Sequence, residues 1–279
     1  MKNPEIHKIA VIGCGWLGFP LAVNLIKNGY YVKGSTTSKE KITRLSAHHI
    51  DPFLVQLNPN YEGDDAQLFL DVELLIINIP PGRSSVSVTN YQQKIENLII
   101  EISKSPIKKL IFISSTSVYK EINDKVNEAT LALDNSEAAL RMLDAENTLK
   151  SIKNVDTSII RMAGLIGPDR HPGRFFAGRE NIPNGLSPVN LIHLDDCIGL
   201  IEYVIENNFW GETFNGAAPS HPKKTDFYDL ASQKLYNKSA KFINEKGDFK
   251  IVDSSKIIAK GYEFKHPDLM EWLLQTPQN

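Results

Sequence analysis

Hydrophobic residues along the chain alternate between short continuous runs and runs in which they recur every three or four positions. The first continuous run, Lys8–Ile12, has the length of a strand, and Leu21, Leu25 and Ile26 follow it at helical spacing. Such pairs recur as far as residue 161, which is typical of a parallel sheet covered by helices. The predicted strands are 8–12, 30–36, 53–57, 72–79, 109–113, 156–161, 190–193 and 213–215, and the predicted helices are 19–28, 39–47, 91–104, 138–150, 195–207, 225–236 and 270–274.

A glycine-rich turn separates the first strand from the first helix. Its pattern is G-x-G-x-x-G, formed by Gly13, Cys14, Gly15, Trp16, Leu17 and Gly18. In this context the first glycine permits the turn, the second lets backbone approach a pyrophosphate, and the third lets the helix pack closely on its strand. The helix N-terminus adds unpaired N–H groups and the positive end of its dipole. All six residues are predicted to bind a dinucleotide; the alternative is a purely structural turn.

The strand 72–79 is almost entirely apolar, as expected of a strand that helices cover on both faces. We therefore predict an α/β fold: a Rossmann-type doubly wound parallel sheet with helices on both faces and a small C-terminal substrate-side lobe. Gly29 is the expected C-terminal stop of the first helix. A single domain is expected over 1–279, with 1–161 mainly the dinucleotide-binding core and 162–279 mixed, including the substrate-side elements.

The end of the second strand bears on the choice of dinucleotide. Units that prefer NAD usually place an acidic residue about 20 positions beyond the glycine turn. Here the corresponding residues are Ser35, Thr36, Thr37 and Lys39, and the first acid is Glu40. Because hydroxyl groups and a cation suit a 2′-phosphate, NADP(H) is predicted in preference to NAD(H). The alternative is that Lys39, like Arg44 further along, is a solvated helix charge.

Two later strands also end where a cofactor would bind. The strand 72–79 stops at Pro80 and Pro81, and the strand 109–113 is followed by Ser114. Ligands of doubly wound sheets bind outside the carboxyl ends of the strands. Ile79, Pro80, Pro81 and Ser114 are therefore further predicted cofactor contacts. For the prolines, a simple end to the strand is an equally good explanation.

The composition excludes several kinds of partner. The 279 residues carry a net charge of −2 without a basic block, which offers no attraction for nucleic acid or an anionic membrane. The polar N-terminus is unlike a signal peptide, and no apolar run approaches the roughly 18 residues of a membrane span. Both cysteines, Cys14 and Cys197, fall in segments that are expected to be buried, which favours a reducing compartment. We expect a cytoplasmic protein with a small-molecule substrate.

Five segments fall in an order that belongs to one superfamily. They are the glycine turn 13–18, the serine-rich segment 114–119, the segment 161–168, the His-x-Asp-Asp segment 190–196 and the ending 253–274. Together they resemble the extended short-chain dehydrogenases/reductases, the relatives of nucleotide-sugar epimerases and dehydratases. The glycine turn combined with 164–174 closely resembles the bacterial atypical NAD(P)-dependent epimerase/dehydratase-like proteins. The resemblance implies an NAD(P)-binding protein and a possible homodimer through the helices 91–104 and 138–150.

The catalytic pair of that superfamily is missing. Its enzymes carry Tyr-x-x-x-Lys on the helix after the serine segment, where the tyrosine moves the proton and the lysine lowers the pKa of that tyrosine. Alignment on Glu146 places Ala138 at the tyrosine position and Met142 at the lysine position. None of the nine tyrosines is followed by lysine or arginine four residues later. This departure indicates the atypical branch.

Three residues near the serine segment are candidates for altered chemistry. Ser115 stands where relatives place a hydroxyl that hydrogen-bonds a substrate carbonyl or alcohol, and Thr116 is its neighbour. Tyr119 is a candidate substitute acid. The alternatives are a serine-rich strand end that satisfies backbone groups locally, and a tyrosine that packs with one polar tip.

The segment 162–189 is rich in glycine and proline, and long segments of this kind are often functional. His171 and Arg174 are predicted to lie on the substrate side, where an arginine can bind a carboxylate or phosphate bidentately. The alternative is an exposed loop. His193, Asp195 and Asp196 give no complete metal-ligand set and are interpreted as structural, since carboxylates cap a helix start. No metal is expected.

Two functions stay open. The first is an oxidoreductase or epimerase-type enzyme with non-standard catalytic residues, acting on a small sugar or carbonyl substrate. The second is a dinucleotide-binding sensor or regulatory module without catalysis. Loss of the tyrosine and lysine favours the sensor, whereas Ser115 and the large remainder of chain after Arg161 favour the enzyme.

Overall fold

The structure, a computed structural model, describes residues 3–80, 91–131 and 133–276. Its strands are β1 Lys8–Ile12, β2 Tyr31–Thr36, β3 Asp51–Leu57, β4 Tyr61–Gly63, β5 Leu74–Ile77, β6 Lys109–Ser115, β7 Asp124–Val126, β8 Asp156–Met162, β9 Gly164–Ile166, β10 Leu191–His193, β11 Thr213–Gly216 and β12 Lys250–Val252. Its helices are α1 Gly18–Lys27, α2 Glu40–Ala47, α3 Ala66–Phe69, α4 Tyr91–Ile102, α5 Glu137–Lys150, α6 Leu194–Glu206, α7 Lys224–Tyr236, α8 Ser255–Ala259 and α9 Leu269–Gln275. Short 3₁₀ turns occur at Thr116–Val118 and Pro172–Arg174.

Eight strands form one sheet in the order β11-β8-β6-β5-β1-β2-β3-β4. The central strand β1 pairs in parallel with β2 and with β5, so that Ile9 lies between Val32 and Leu74. Among the pairs that β1 to β6 form with one another, all are parallel except the antiparallel pair of β3 and β4. This mostly parallel sheet, flanked by helices, confirms the predicted α/β fold of Rossmann type. The strand order reverses between β1 and β5, which is where ligands bind in such sheets.

Burial explains why β1 and β5 are apolar on both faces. Ile9, Ala10 and Val11 are fully buried, and all four residues of β5 are too. Helix α1 packs through Leu21 and Leu25. It ends as predicted before Gly29, whose positive φ of 86° turns the chain so that the N–H of Tyr30 donates to the Leu25 carbonyl at 3.1 Å.

The elements that the pattern missed are all short. They comprise β4, β7, β9 and β12 with three residues each, α3 with four and α8 with five. Runs of this length are too brief to display a helical or alternating period. For this reason no strand or helix was predicted within the segment 162–189, although it contains β9 and the turn Pro172–Arg174.

The predicted dimer helices use their small residues within the chain. On α5, Ala139, Met142 and Ala145 are buried, whereas Ala138 is exposed. These residues therefore pack within the chain, and the homodimer stays a prediction. Within the described ranges, no helix is both long enough and apolar enough to cross a membrane.

Two compact units can be distinguished. The first comprises the described parts of Met1–Val118, Asn135–Arg161 and Ile198–Thr213, and it contains the glycine turn. The second comprises those of Tyr119–Asp134, Met162–Cys197 and Phe214–Asn279. A core of its own stabilises the second unit, formed by Ile166, Val189, Leu191, Ala218, Phe227, Ala231, Leu269 and Leu273.

A buried ion pair joins three elements of the first unit. Arg161 of β8 donates from Nε and Nη2 to the two carboxylate oxygens of Glu146 on α5, at 3.0 and 2.7 Å. Ser114, in β6, donates its hydroxyl to the same carboxylate at 2.5 Å. Glu146 is only 2% exposed and Arg161 8%. Both charges are therefore out of water, and each depends on the other for compensation.

We predict that Glu146→Ala lowers the free energy of unfolding by about 3–5 kcal/mol, because it removes the carboxylate that compensates the buried charge of Arg161. Urea denaturation followed by circular dichroism measures the loss. The control is Asp156→Ala, which removes a 2.7 Å pair with Lys109 whose aspartate side chain is 62% exposed. That variant should lose less than about 1 kcal/mol. Equal losses in the two variants would contradict the assignment.

Candidate functional site

The glycine turn lies at the carboxyl end of β1 and leaves no room for side chains at two positions. A Cβ on Gly13, whose φ is +95°, would lie 2.4 Å from the carbonyl oxygen of Asn78. A Cβ on Gly18 would lie 2.2 Å from the carbonyl oxygen of Gly13. At Gly15, by contrast, an added Cβ would meet none of the described atoms within 4 Å. Gly13 and Gly18 therefore bring backbone together, whereas Gly15 has space beside it among the described residues.

Side chains from two neighbouring strands hold this turn. The N–H of Gly13 donates to the hydroxyl of Ser35 at 3.0 Å, and the N–H of Cys14 to the Ser35 carbonyl at 2.9 Å. The amide of Asn78 donates to the Gly13 carbonyl at 3.1 Å. Ser35, predicted as a cofactor contact, is buried and thus supports the turn. Asn78 was missed, although a polar residue directly after the four apolar residues of β5 was a usable signal.

Helix α1 presents its first turn at the same place. The N–H of Phe19 donates to the Gly15 carbonyl at 3.0 Å, so the amides of Trp16, Leu17 and Gly18 lie in the first turn, ahead of the helical ladder. No acidic residue occurs in that turn. The N-terminus of α1 can therefore attract an anion through its dipole and its N–H groups.

Cys14 lies inside the glycine turn, and its thiol is not reactive. Burial raises the pKa of its thiol to about 12, and the thiol packs against the Val11 carbonyl at 3.7 Å. A thiol with so high a pKa is protonated at neutral pH and is a poor nucleophile. Cys14 therefore contributes to the turn through its backbone N–H, which donates to the Ser35 carbonyl.

The residues predicted to select NADP(H) differ in exposure. Thr36 is buried, and its hydroxyl accepts the N–H of Ser38 at 3.2 Å. Thr37 and Lys39 are exposed, directly before α2. Arg44, on α2, stacks its guanidinium 4.0 Å above the ring of Phe19 from α1. Two cations thus follow the carboxyl end of β2.

The end of β5 contributes backbone more than side chains. Ile79 is half-buried, and its carbonyl accepts the hydroxyl of Tyr91 at 3.2 Å. Its Cγ2 would lie 3.4 Å from a Cβ on Gly13, so Ile79 borders the turn. Pro80 is exposed, whereas Pro81 lies outside the described residues.

At the end of β6, the serine segment places two buried hydroxyls beside one that is half-buried. Ser114 is committed to the buried Glu146, and Thr116 is buried at the start of its 3₁₀ turn. Ser115 is half-buried, and its hydroxyl accepts the N–H of Ser117 at 3.1 Å. That acceptor bond leaves the hydroxyl proton of Ser115 available for a ligand.

In the second unit, Tyr119 has the packing role that was its alternative interpretation. Its ring is fully buried, and its hydroxyl donates to Oδ1 of Asn215 at 2.8 Å. The N–H of Asn215 in turn donates to the carboxylate of Glu128 at 2.6 Å. This chain of hydrogen bonds fixes the phenol in the interior of the unit.

His171 precedes the turn Pro172–Arg174, which ends at Arg174 and packs on α7. A Cβ on Gly173 would lie 2.2 Å from the carbonyl oxygen of Ala231. Nδ1 of His171 accepts the Gly173 N–H at 3.1 Å, so the imidazole caps the turn. Burial, with Arg174 nearby, lowers the pKa of His171. Arg174 is exposed and donates to the Asp169 carbonyl at 2.8 Å.

A cavity of about 650 Å³ opens at the opposite edge of the sheet in the first unit. Its lining includes Lys8, Tyr31 and Asp51, the first residues of β1, β2 and β3. Lys33 crosses it and donates to the carbonyls of Leu68 and Asp71. Because the glycine turn follows the other end of β1, this cavity is separate from the candidate site.

Comparison with known proteins supports the same organisation. A family model described as the NAD-binding domain of 6-phosphogluconate dehydrogenase matches residues 8–145. Protein YeeZ of Escherichia coli K12 is 35% identical over 268 residues, which are 94% of this chain and 97% of YeeZ.

Solved structures match over nearly the whole chain. UDP-glucuronic acid 4-epimerase of Bacillus cereus, in complex with NAD, is 23% identical with a TM-score of 0.74, over 90% of this chain and 89% of its own. Human epimerase family protein SDR39U1, with NADPH, is 15% identical with a TM-score of 0.71, over 98% and 99%. The predicted resemblance to the short-chain dehydrogenase/reductase epimerases is thus confirmed at the level of the fold.

We predict that Gly18→Ala lowers the free energy of unfolding by about 1–3 kcal/mol, because its methyl group would overlap the Gly13 carbonyl. Gly15→Ala is the matched control within the same turn. Since a methyl group there enters open space, that variant should stay within about 0.5 kcal/mol of the wild type. Thermal denaturation of both variants measures the difference. Equal stability would show that the close approach at Gly18 is not required.

Proposed function

The chain belongs to the family of protein YeeZ, and we propose that it binds a nicotinamide dinucleotide at the turn 13–18. The observation that carries the proposal is the contrast within the turn. Gly13 and Gly18 bring backbone into contact, while a Cβ on Gly15, beside the first turn of α1, would meet no described atom within 4 Å. This is the arrangement in which backbone can approach a pyrophosphate and helix N–H groups can bind it. The match to an NAD-binding domain over residues 8–145 supports it.

The proposed dinucleotide is NADP(H). Ser35 and Thr36 are buried and bonded to backbone, so the role of binding a 2′-phosphate passes to Thr37 and Lys39. Both are exposed after β2, and the chain has no carboxylate there to repel a phosphate before Glu40. Arg44, stacked on Phe19, adds a second positive charge on α2.

We predict that Lys39→Ala weakens NADPH binding about tenfold, or about 1.4 kcal/mol, and leaves NADH binding unchanged. The reason is that only NADPH carries the 2′-phosphate that Lys39 would contact. Fluorescence titration with each cofactor measures both affinities. Lys27→Ala, which removes an exposed charge from the last turn of α1, is the control and should change neither. Equal affinity of the wild type for NADH and NADPH would contradict the preference.

We propose an oxidoreductase or epimerase-type enzyme with non-standard catalytic residues, acting on a small carbonyl or sugar substrate. The bound nicotinamide would supply hydride transfer. On the protein side, Ala138 is exposed and Met142 buried, and neither side chain can move a proton. Ser115 is the hydroxyl left at the carboxyl end of β6 that can donate to a substrate oxygen. His171 and Arg174 are proposed to act on the substrate side.

The second candidate is a dinucleotide-binding sensor without catalysis. It is favoured by the absence of Tyr-x-x-x-Lys and by the burial of Tyr119, whose hydroxyl is bonded to Asn215. The enzyme is preferred because the second unit has its own buried core, which a sensor of cofactor alone would not need.

Oxidation of NADPH in the presence of aldehydes, keto acids and keto-sugars separates the two candidates. For a substrate that is turned over, Ser115→Ala should lower kcat about 100-fold without changing the Kd of NADPH, since the lost bond acts on the reacting oxygen. Ser117→Ala, an exposed neighbour, is the control. Binding of NADPH without turnover of any compound in the panel would favour the sensor.

A further inference from the structure

Two histidines and an aspartate of the second unit converge on one point. His193 ends β10, Asp195 lies in the first turn of α6, and His266 precedes α9. Oδ2 of Asp195 lies 3.7 Å from Nδ1 of His193 and 3.1 Å from Nε2 of His266. One ligand atom from each residue can be chosen so that all three lie within 4.8 Å of one another.

This spacing is close to what a metal ion requires. Zinc–nitrogen and zinc–oxygen bonds of about 2.0–2.2 Å in a tetrahedron place neighbouring ligand atoms about 3.4 Å apart. The two separations from Asp195 lie on either side of that value. We propose that His193, Asp195 and His266 bind a divalent transition-metal ion, with zinc as the expected occupant. Two imidazoles and a carboxylate form a zinc-binding set that leaves a fourth position for water or another ligand.

The surroundings suit such a site. The side chain of His193 is 6% exposed and that of His266 19%, whereas Asp195 is 37% exposed. The rings are thus shielded while the carboxylate side is open to an entering ion. Burial, reinforced by His266, lowers the pKa of His193 to about 4. Its imidazole is therefore neutral at pH 7, as ligation demands.

A second aspartate positions His266. Asp196 is fully buried and accepts the N–H groups of Lys265 and His266, at 2.6 and 3.1 Å. It therefore fastens the segment before α9 to the start of α6. The convergence of His193, Asp195 and His266 is thus held by backbone bonds that do not depend on the ion.

Without an ion, Lys265 neutralises the carboxylate. Its Nζ lies 2.6 Å from Oδ2 of Asp195, and its side chain is 68% exposed, so the ammonium can move into solvent. Nδ1 of His193 accepts the Asp195 N–H at 3.2 Å, and the ion would take over that lone pair. Metal binding therefore competes with Lys265 and replaces the 3.1 Å hydrogen bond between Nε2 of His266 and Oδ2 of Asp195.

Calorimetric titration of the chelator-treated full chain with Zn²⁺ tests the proposal. We expect one ion per chain, with affinity reduced about 100-fold or more in His266→Ala and in Asp195→Asn. Lys265→Gln should bind zinc more tightly, because it removes the competing cation. His221→Ala is the matched control, since His221 is half-buried in the same unit and bonded to the Val189 carbonyl.

Tryptophan fluorescence provides a second readout that requires no enzymatic activity. The Trp272 ring lies 5.1 Å from that of His193 and 6.5 Å from that of His266, so Ni²⁺ at the site should quench it. Quenching should be reversed by chelator and lost in His266→Ala. Equal zinc affinity in the wild type and both ligand variants would place the ion elsewhere and overturn the proposal. Absence of binding in the wild type and in Lys265→Gln would show an ion pair only, and would also overturn it.

Discussion

The close approach of backbone at Gly13 is the constraint on which the candidate site depends. A side chain at Gly13 would collide with the Asn78 carbonyl, and one at Gly18 would collide with the carbonyl of Gly13 itself. The end of β1, the end of β5 and the start of α1 are thereby held against one another. Asn78 reinforces the arrangement through its amide bond to Gly13. The first-turn amides of α1 consequently point to the carboxyl edge of the sheet, where the strand order reverses.

Hydroxyl groups near that edge divide into two kinds. Ser35 and Ser114 are buried and bonded to Gly13 and Glu146, so they maintain the scaffold. Thr37 and Ser115 remain accessible in part and are the hydroxyls that a ligand can reach. Burying a polar group is costly unless it is hydrogen-bonded. Ser114 and Ser115 are neighbours in β6, and neighbouring side chains of a strand face opposite ways. The first is therefore buried in the scaffold, and the second is accessible in part.

Membership of the YeeZ family and the likeness in fold to the epimerases support the proposal that the first unit binds a dinucleotide. They do not identify the reaction. Ala138 and Met142 occupy positions on α5 at which relatives of the superfamily carry the proton-transferring pair. The proposed hydride transfer therefore assigns the bond to the substrate oxygen to Ser115. In the second unit, His193, Asp195 and His266 form a cluster that the proposed hydride chemistry does not use.

The sequence by itself determined the parallel α/β fold, the glycine turn and the stop at Gly29, because periodicity and backbone freedom are local properties. It also indicated an incomplete ligand set at His193 and Asp195, since the third ligand, His266, lies 71 residues beyond Asp195. Only the tertiary structure decided that Ser35 supports the turn, that Tyr119 is buried, and that His266 joins the cluster. Those outcomes depend on which distant segments meet, and the spacing of residues along one segment does not record that.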